Sequence, residues 1–217
     1  MELYNEDGTL YSTTPYVNDM LNGEKTVYEA NAIKDYTEVY KDDQLEGPEK
    51  KYDPNGALAY QILFEDDDPA SYTYLGADGK LVPAISITGG NGPVKSYFQN
   101  GKLSREGSYT DGVKNGTTEI YYANGQLRSV DNMAYGVSEG LYQNYAEDGK
   151  LQLDYIYKTD NATGIGREYY KNGKLKKEVT FINGINNGPT KYFDENGKLI
   201  KTLWYYYGKL MAVKNEK

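Results

Sequence analysis

An Asn-Gly or Asp-Gly pair followed two residues later by leucine recurs along this chain on a fixed ruler. The turn glycines are Gly8, Gly56, Gly79, Gly101, Gly125, Gly149, Gly173 and Gly197; the leucines are Leu10, Leu58, Leu81, Leu103, Leu127, Leu151, Leu175 and Leu199. From Gly101 to Gly197 every step is 24 residues, and Gly8 to Gly56 is twice that, with a decayed copy in register at Asn31-Ala32. A period of this length marks an array of one supersecondary unit, in which no single copy buries a core alone. Function in such a chain belongs to the surface that the copies present together.

Counted from the turn glycine as zero, each copy repeats the same columns. A large apolar or aromatic residue stands at +8 (Tyr16, Tyr40, Phe64, Ile87, Tyr109, Met133, Tyr157, Phe181, Tyr205). A second glycine stands at +15 (Gly23, Gly47, Gly116, Gly140, Gly164, Gly188), and an aromatic at +20 (Tyr28, Tyr52, Tyr121, Tyr145, Tyr169, Phe193, with Tyr97 equivalent). Asn-Gly is the strongest local hairpin signal, since a two-residue turn asks both residues for positive φ. The sequence therefore predicts a tight turn at each Asn/Asp-Gly, a strand from about +1 to +9, a looser glycine-ended loop over +10 to +15, and a returning strand. The expected fold is all-β: an elongated antiparallel meander of about nine hairpins in a single twisted sheet. One array spans 1–217, with irregular repeats at 25–48 and 57–100 and a C-terminal cap over about 200–217. With a side-chain period of two, the +2, +8 and +20 columns are expected on one face.

The ruler breaks between Gly56 and Gly101, where the step shortens to 23 and then 22. Glu65-Asp66-Asp67-Asp68-Pro69 replaces the usual glycine loop there, and Pro83 falls in a strand window where it removes a ladder donor. A drifted repeat with a solvated acidic loop and a bend or groove are both compatible with that pattern.

Composition narrows the chemistry. The chain holds 25 Tyr against 4 Phe and 1 Trp, and no Cys or His. An apolar ring with a polar tip suits half-wet sheet faces better than a thick dry core. Without His or Cys, the commonest general base, soft metal ligands and thiol nucleophile are missing. No enzyme activity, cofactor or metal is expected. The oxygen-rich turns, such as Asn5-Glu6-Asp7-Gly8, Asp53-Pro54-Asn55-Gly56 and Asp194-Glu195-Asn196-Gly197, resemble calcium-loop material, but turn chemistry already accounts for them. The net charge of −8 is uneven: residues 166–217 hold 11 Lys/Arg and 5 Asp/Glu, leaving 13 and 27 for residues 1–165. Nucleic acid is an unfavoured partner for such an acidic array, and membrane contact is open only to the basic C-terminal end.

The unit written as Tyr121-Tyr122-Ala123-Asn124-Gly125-Gln126-Leu127, and again as Tyr169-Tyr170-Lys171-Asn172-Gly173-Lys174-Leu175, resembles the MORN-repeat variant of bacterial proteins. Proteins of this type are often grouped with a bacterial family labelled antitoxin, YwqK-like. The resemblance implies non-enzymatic β-hairpin arrays used for protein or membrane contact, and an antitoxin- or immunity-like role is the narrower form. A protein partner is expected, with a homodimer as one form of it. The aromatic ladder Tyr52, Tyr97, Tyr109, Tyr121, Tyr145, Tyr157, Tyr169 and Phe193 is the expected contact strip. Gly56, Gly79, Gly101, Gly125, Gly149, Gly173 and Gly197 serve as structural turns. The alternative is a cell-surface carbohydrate- or envelope-binding module, since short Tyr-rich hairpins also stack on sugars. A secreted or cell-envelope location, after removal of a leader, is expected over a cytoplasmic one.

Overall fold

The computed structural model describes residues 1–29, 31–53 and 55–216. Pro54 of one oxygen-rich turn and Lys217 of the expected cap lie outside them. The described chain is all-β, in antiparallel sheets of repeated hairpins, and divides into two compact units, Met1–Val113 and Lys114–Lys217.

The first unit contains β1 (Glu2–Tyr4), β2 (Leu10–Thr13), β3 (Tyr16–Val17), β4 (Met20–Leu21), β5 (Gly23–Tyr28), β6 (Lys34–Lys41), β7 (Gln44–Leu45), β8 (Gly47–Tyr52), β9 (Leu58–Glu65), β10 (Asp68–Tyr74), β11 (Ile85–Ser86), β12 (Gly92–Tyr97) and β13 (Leu103–Thr110). β14 (Val113–Lys114) falls at the division. The second unit holds β15 (Gly116–Tyr121), β16 (Leu127–Ala134), β17 (Val137–Ser138), β18 (Gly140–Tyr145), β19 (Leu151–Lys158), β20 (Asn161–Tyr169), β21 (Leu175–Ile182), β22 (Ile185–Phe193), β23 (Leu199–Tyr206) and β24 (Lys209–Asn215). In the first unit the order β1-β2-β5-β6-β8-β9-β10-β11 forms one sheet, and β12 pairs with β13. In the second, β15-β16-β18-β19-β20-β21-β22-β23-β24 follow one another as neighbours. The segment expected as a cap thus ends in a further full hairpin, β23–β24.

The two kinds of turn exchange the roles expected of them. At each Asn/Asp-Gly-x-Leu only the glycine of the pair has positive φ, from 73° at Gly79 to 89° at Gly125. Gly125 N donates to the Tyr122 carbonyl and Tyr122 N to the Gln126 carbonyl, both at 2.8 Å, a pattern repeated in every copy. Past the turn, Tyr121 pairs with Leu127 although Ile120 already pairs with Ser129. This is a three-residue loop, a type I turn closed by a left-handed glycine and a bulge. The Asn/Asp side chain serves it directly: Asn124 Oδ1 accepts from Gln126 N at 2.8 Å, Asn172 Oδ1 from Lys174 N at 2.9 Å, and Asp148 Oδ1 from Lys150 N at 3.1 Å.

The two-residue turn with both φ positive lies instead at +10 and +11, inside the expected loose loop. Among the described residues nine pairs hold it, including Asn18-Asp19, Asp42-Asp43, Asp66-Asp67, Asp111-Gly112, Tyr135-Gly136 and Asn183-Gly184. After it the strand resumes at once and then kinks at the +15 glycine, where φ reaches 112° at Gly23 and 130° at Gly47. Only glycine adopts that region, and a Cβ on Gly47 would stand 3.1 Å from Val39 Cβ. Successive tight turns are stitched together: Gly184 N donates to the Ala162 carbonyl and Gly208 N to the Asn186 carbonyl, each at 2.8 Å.

The break in the ruler marks the one hydrophobic core cluster found among the described residues. Pro83 sits between strands, the downstream strand of that copy shrinks to Ile85–Ser86, and the sheet ladder ends at β11. Tyr60, Ile62 and Phe64 of β9 and Tyr72 of β10 are buried with Ile87, Val94 of β12 and Tyr109 of β13. The acidic run does not hang free. Asp66-Asp67 makes an ordinary tight turn in which Asp67 Oδ1 accepts from Leu45 N at 2.7 Å and Asp66 N donates to Glu46 at 2.9 Å.

Candidate interaction surface

The bulge after each Asn/Asp-Gly turn decides which residues share a face. Without it, +2 and +8 would lie on the same side. The extra residue at +3 reverses the phase, so +3 and +4 both point the same way. Ser104 (+3) meets Ser96 (+19) oxygen to oxygen at 2.9 Å, and Tyr36 (+4) is the partner of Val27 (+19). One face, the core face, therefore carries +4, +6, +8, +17 and +19. The opposite, outer face carries +2, +5, +7, +18 and +20.

The expected single aromatic ladder is accordingly two. Tyr109 and Tyr157 lie on the core face, while Tyr52, Tyr97, Tyr121, Tyr145, Tyr169 and Phe193 lie on the outer face beside the leucine column. Tyr109 is 6 % exposed within the first unit's core, which takes it out of any contact strip. Tyr157 is half-buried, with its ring centroid 6.1 Å from that of Tyr142 in an edge-to-face pair. On the outer face Tyr97 lies 5.5 Å from Tyr74, and Lys34 sits 6.0 Å from the Tyr52 ring. Tyr121 donates to Glu119, and Tyr169 reaches Asp154 at 3.5 Å. The backbone at Tyr145 and Phe193 ties neighbouring copies, since their carbonyls accept the hydroxyls of Tyr122 and Tyr170 at 2.8 and 2.7 Å. Burial and the nearby Asp154 carboxylate push the Tyr169 phenol up. All the expected turn glycines occupy the left-handed position that their role requires.

In the second unit the outer face has two further rows that no column common to every copy contains. One is a run of charges on four adjacent strands: Asp154, Arg167, Glu178 and Lys191. Arg167 bridges Asp154 at 4.0 Å and Glu178 at 3.4 Å, and Lys191 reaches Glu178 at 3.1 Å. The other, nearer the tight turns, is apolar: Leu141, Ile156, Ile165, Ile182 and Trp204 are each 38–46 % exposed. Their signal lies at +7, +9 and +16, columns that are apolar in some copies, such as Val39, Leu63 and Ile156 at +7, and polar in others, such as Ser108 and Asn132.

Six segments, residues 45–66, 91–111, 114–133, 138–159, 162–183 and 186–206, match the MORN repeat variant family and together cover more than half of the chain. The chain belongs to the MORN repeat variant family. No curated protein matches it. MORN repeats form a non-enzymatic family of protein- or membrane-binding modules. The matched segments start soon after one tight turn and end around the next, so the MORN unit is the tight-turn-to-tight-turn hairpin, with the Asn/Asp-Gly bulge at its centre. The oxygen atoms that looked like calcium ligands are engaged by the backbone: Asp194 Oδ1 accepts from both Asn196 N and Lys198 N at 2.9 Å.

Proposed function

We propose that this MORN-repeat chain is a non-catalytic protein-binding scaffold whose contact surface is the outer sheet face of the second unit. The observation that carries the reading is the exposed apolar row Leu141, Ile156, Ile165, Ile182 and Trp204 beside a charged row. A soluble surface scatters exposed apolar side chains singly, whereas an interface gathers them in a patch with a polar border. The half-buried Tyr145, Tyr169 and Phe193 extend the same face. An antitoxin- or immunity-like role, masking a partner domain with this face, is the narrower form of the proposal, with a secreted or envelope location attached to it.

Photo-crosslinking in the native host tests it. A photoreactive residue at Ile165 gives a discrete protein adduct, while the same residue at Tyr142 on the core face does not. Equal yields from the two faces, or none from Ile165, retire the proposal. Glycan binding is the competing outcome: it would appear as a glycan-array signal lost in Trp204→Ala.

A further inference from the structure

The charged row on the outer face reads in array order as Asp154 on β19, Arg167 on β20, Glu178 on β21 and Lys191 on β22: minus, plus, minus, plus. An alternating row of even length has a special property. Turned end for end, it presents plus, minus, plus, minus, so each charge meets its opposite. The geometry points to a second copy of this chain as the occupant of the face, placed by a two-fold axis parallel to the strands and passing between β20 and β21. This rests on the reading of the outer face as a protein contact and names its partner.

The apolar row fixes the same axis independently. It runs parallel to the charged row on the side of the tight turns, so an axis along the strands keeps that side facing itself. Leu141 on β18 then faces Trp204 of the second copy on β23, and Ile156 on β19 faces Pro189 on β22. Ile165 on β20 faces Thr180 on β21, the residue it already neighbours within its own sheet. An axis running across the strands would lay this row over the opposite strand ends and set each charge against its own kind. Packed sheets approach to about 10 Å, close enough for both rows to interdigitate. The contact is isologous and closes at two copies.

Within one chain the four charges are already paired neighbour to neighbour. Facing a reversed copy, each gains one more opposite charge, a network in a site that the apolar row dries. Side-chain exposures of 16 % for Asp154 and 20 % for Glu178 place the carboxylates partly sunk, with the Arg167 and Lys191 heads at 37 and 38 % projecting further. Charges so arranged set register and partner choice more than affinity.

Sedimentation equilibrium of the full chain across a micromolar concentration series is the test. A reversible dimer is expected. Ile156→Lys, at an exposed position that leaves the fold intact by circular dichroism, weakens it by about a hundredfold. Asp154→Lys sets the introduced cation against Lys191 of the second copy and weakens association by about tenfold. The double change Asp154→Lys with Lys191→Asp returns association to within about threefold of the parent. Within a single chain that pair of changes is worse than either alone, because the introduced lysine then adjoins Arg167 and the introduced aspartate adjoins Glu178. Rescue is therefore a signature of the two-fold contact. A chain monomeric throughout, a dimer indifferent to Ile156→Lys, or a double variant weaker than both singles each overturns the inference. A monomer that still yields the Ile165 crosslink to another protein overturns the second copy while leaving the scaffold reading standing.

Discussion

The ring of Tyr155 on β19 fills the space in which Gly166 on β20 would carry a Cβ. An added methyl would overlap Cδ1 and Cε1 of that ring and stand 3.1 Å from Cε2 of Phe181. Tyr155 and Phe181 are themselves edge to face at 5.8 Å. Glycine at this point lets an aromatic side chain cover bare backbone, which supports the core face where the second unit has little aliphatic bulk.

Gly166→Ala should accordingly cost about 1–3 kcal/mol, the usual penalty for overfilling a packed site. Urea unfolding of the single and double variants checks the cause. In a Tyr155→Ala background most of the penalty should vanish, since the ring that clashes is gone. Strictly additive costs would mean that the ring is not the reason for the glycine.

Ala32 occupies the turn position that glycine holds in the other copies, at φ 62°. A non-glycine residue there costs about 1–2 kcal/mol. Ala32→Gly should raise the urea midpoint, by roughly 1 kcal/mol of stability once the extra freedom of the unfolded chain is set against the relieved strain. Gly125→Ala should do the reverse, because Gly125 sits at φ 89°. If Ala32→Gly lowers the midpoint, the turn is not under strain at that residue.

These two sites also show how far the sequence was legible. The period, the hairpins and the position of every turn glycine follow from Asn/Asp-Gly-x-Leu alone, because backbone demands at φ > 0 are local. Turn type did not follow. Asn-Gly satisfies both a two-residue turn and a bulged three-residue turn, and the choice depends on the register of strands on either side. That choice moved Tyr109 and Tyr157 away from Tyr145 and Tyr169, because one bulge residue reverses every side chain beyond it. The irregular stretch was visible as a shortened step and Pro83. That it encloses the core of the first unit depends on contacts between β9 and β13, residues far apart in sequence. The outer-face rows at Ile156 and Arg167 are properties of particular copies, and a consensus of all copies averages them away.

Glu49 lies in that core at 5 % exposure, with Oε1 unbonded, and the hydroxyls of Tyr60 and Tyr109 are likewise buried without hydrogen-bond partners among the described residues. Arg105 lies over the same cluster, its guanidinium carbon 5.0 Å from the Tyr60 ring centroid, and among the described residues no ion pair joins it to Glu49. A carboxylate buried without an ion-pair partner carries an uncompensated desolvation cost. Glu49→Met, which keeps the length and removes the charge, should therefore stabilise the protein by about 1–3 kcal/mol. Arg105→Met should destabilise it by stripping that cation and its stacking on Tyr60. Thermal melts of both variants at neutral pH decide the matter: a loss of stability in Glu49→Met would show that the Arg105 field dominates.

Buried phenols make the fold sensitive to alkali. Burial pushes the Tyr60 hydroxyl up to about 12, with Arg105 opposing the shift and the Glu49 and Asp35 carboxylates adding to it. Burial, then the charge and hydrogen bond of Glu168, takes Tyr155 to about 12 as well. In the unfolded chain a tyrosine titrates near ~10. A group whose folded value is the higher one binds its proton more tightly in the native state. Its stabilisation is full below the unfolded value and disappears as pH rises through the folded one. Stability should thus stay level up to about pH 9.5 and fall between about pH 10 and 12, each tenfold gain in proton affinity being worth about 1.4 kcal/mol for the fully buried Tyr60. Thermal melts by circular dichroism across that range, with phenolate absorbance followed in parallel, give the slope and the number of late-titrating tyrosines. Tyr60→Phe should flatten the slope by close to one proton. Native protein in which all phenols ionise together near ~10 would remove the premise.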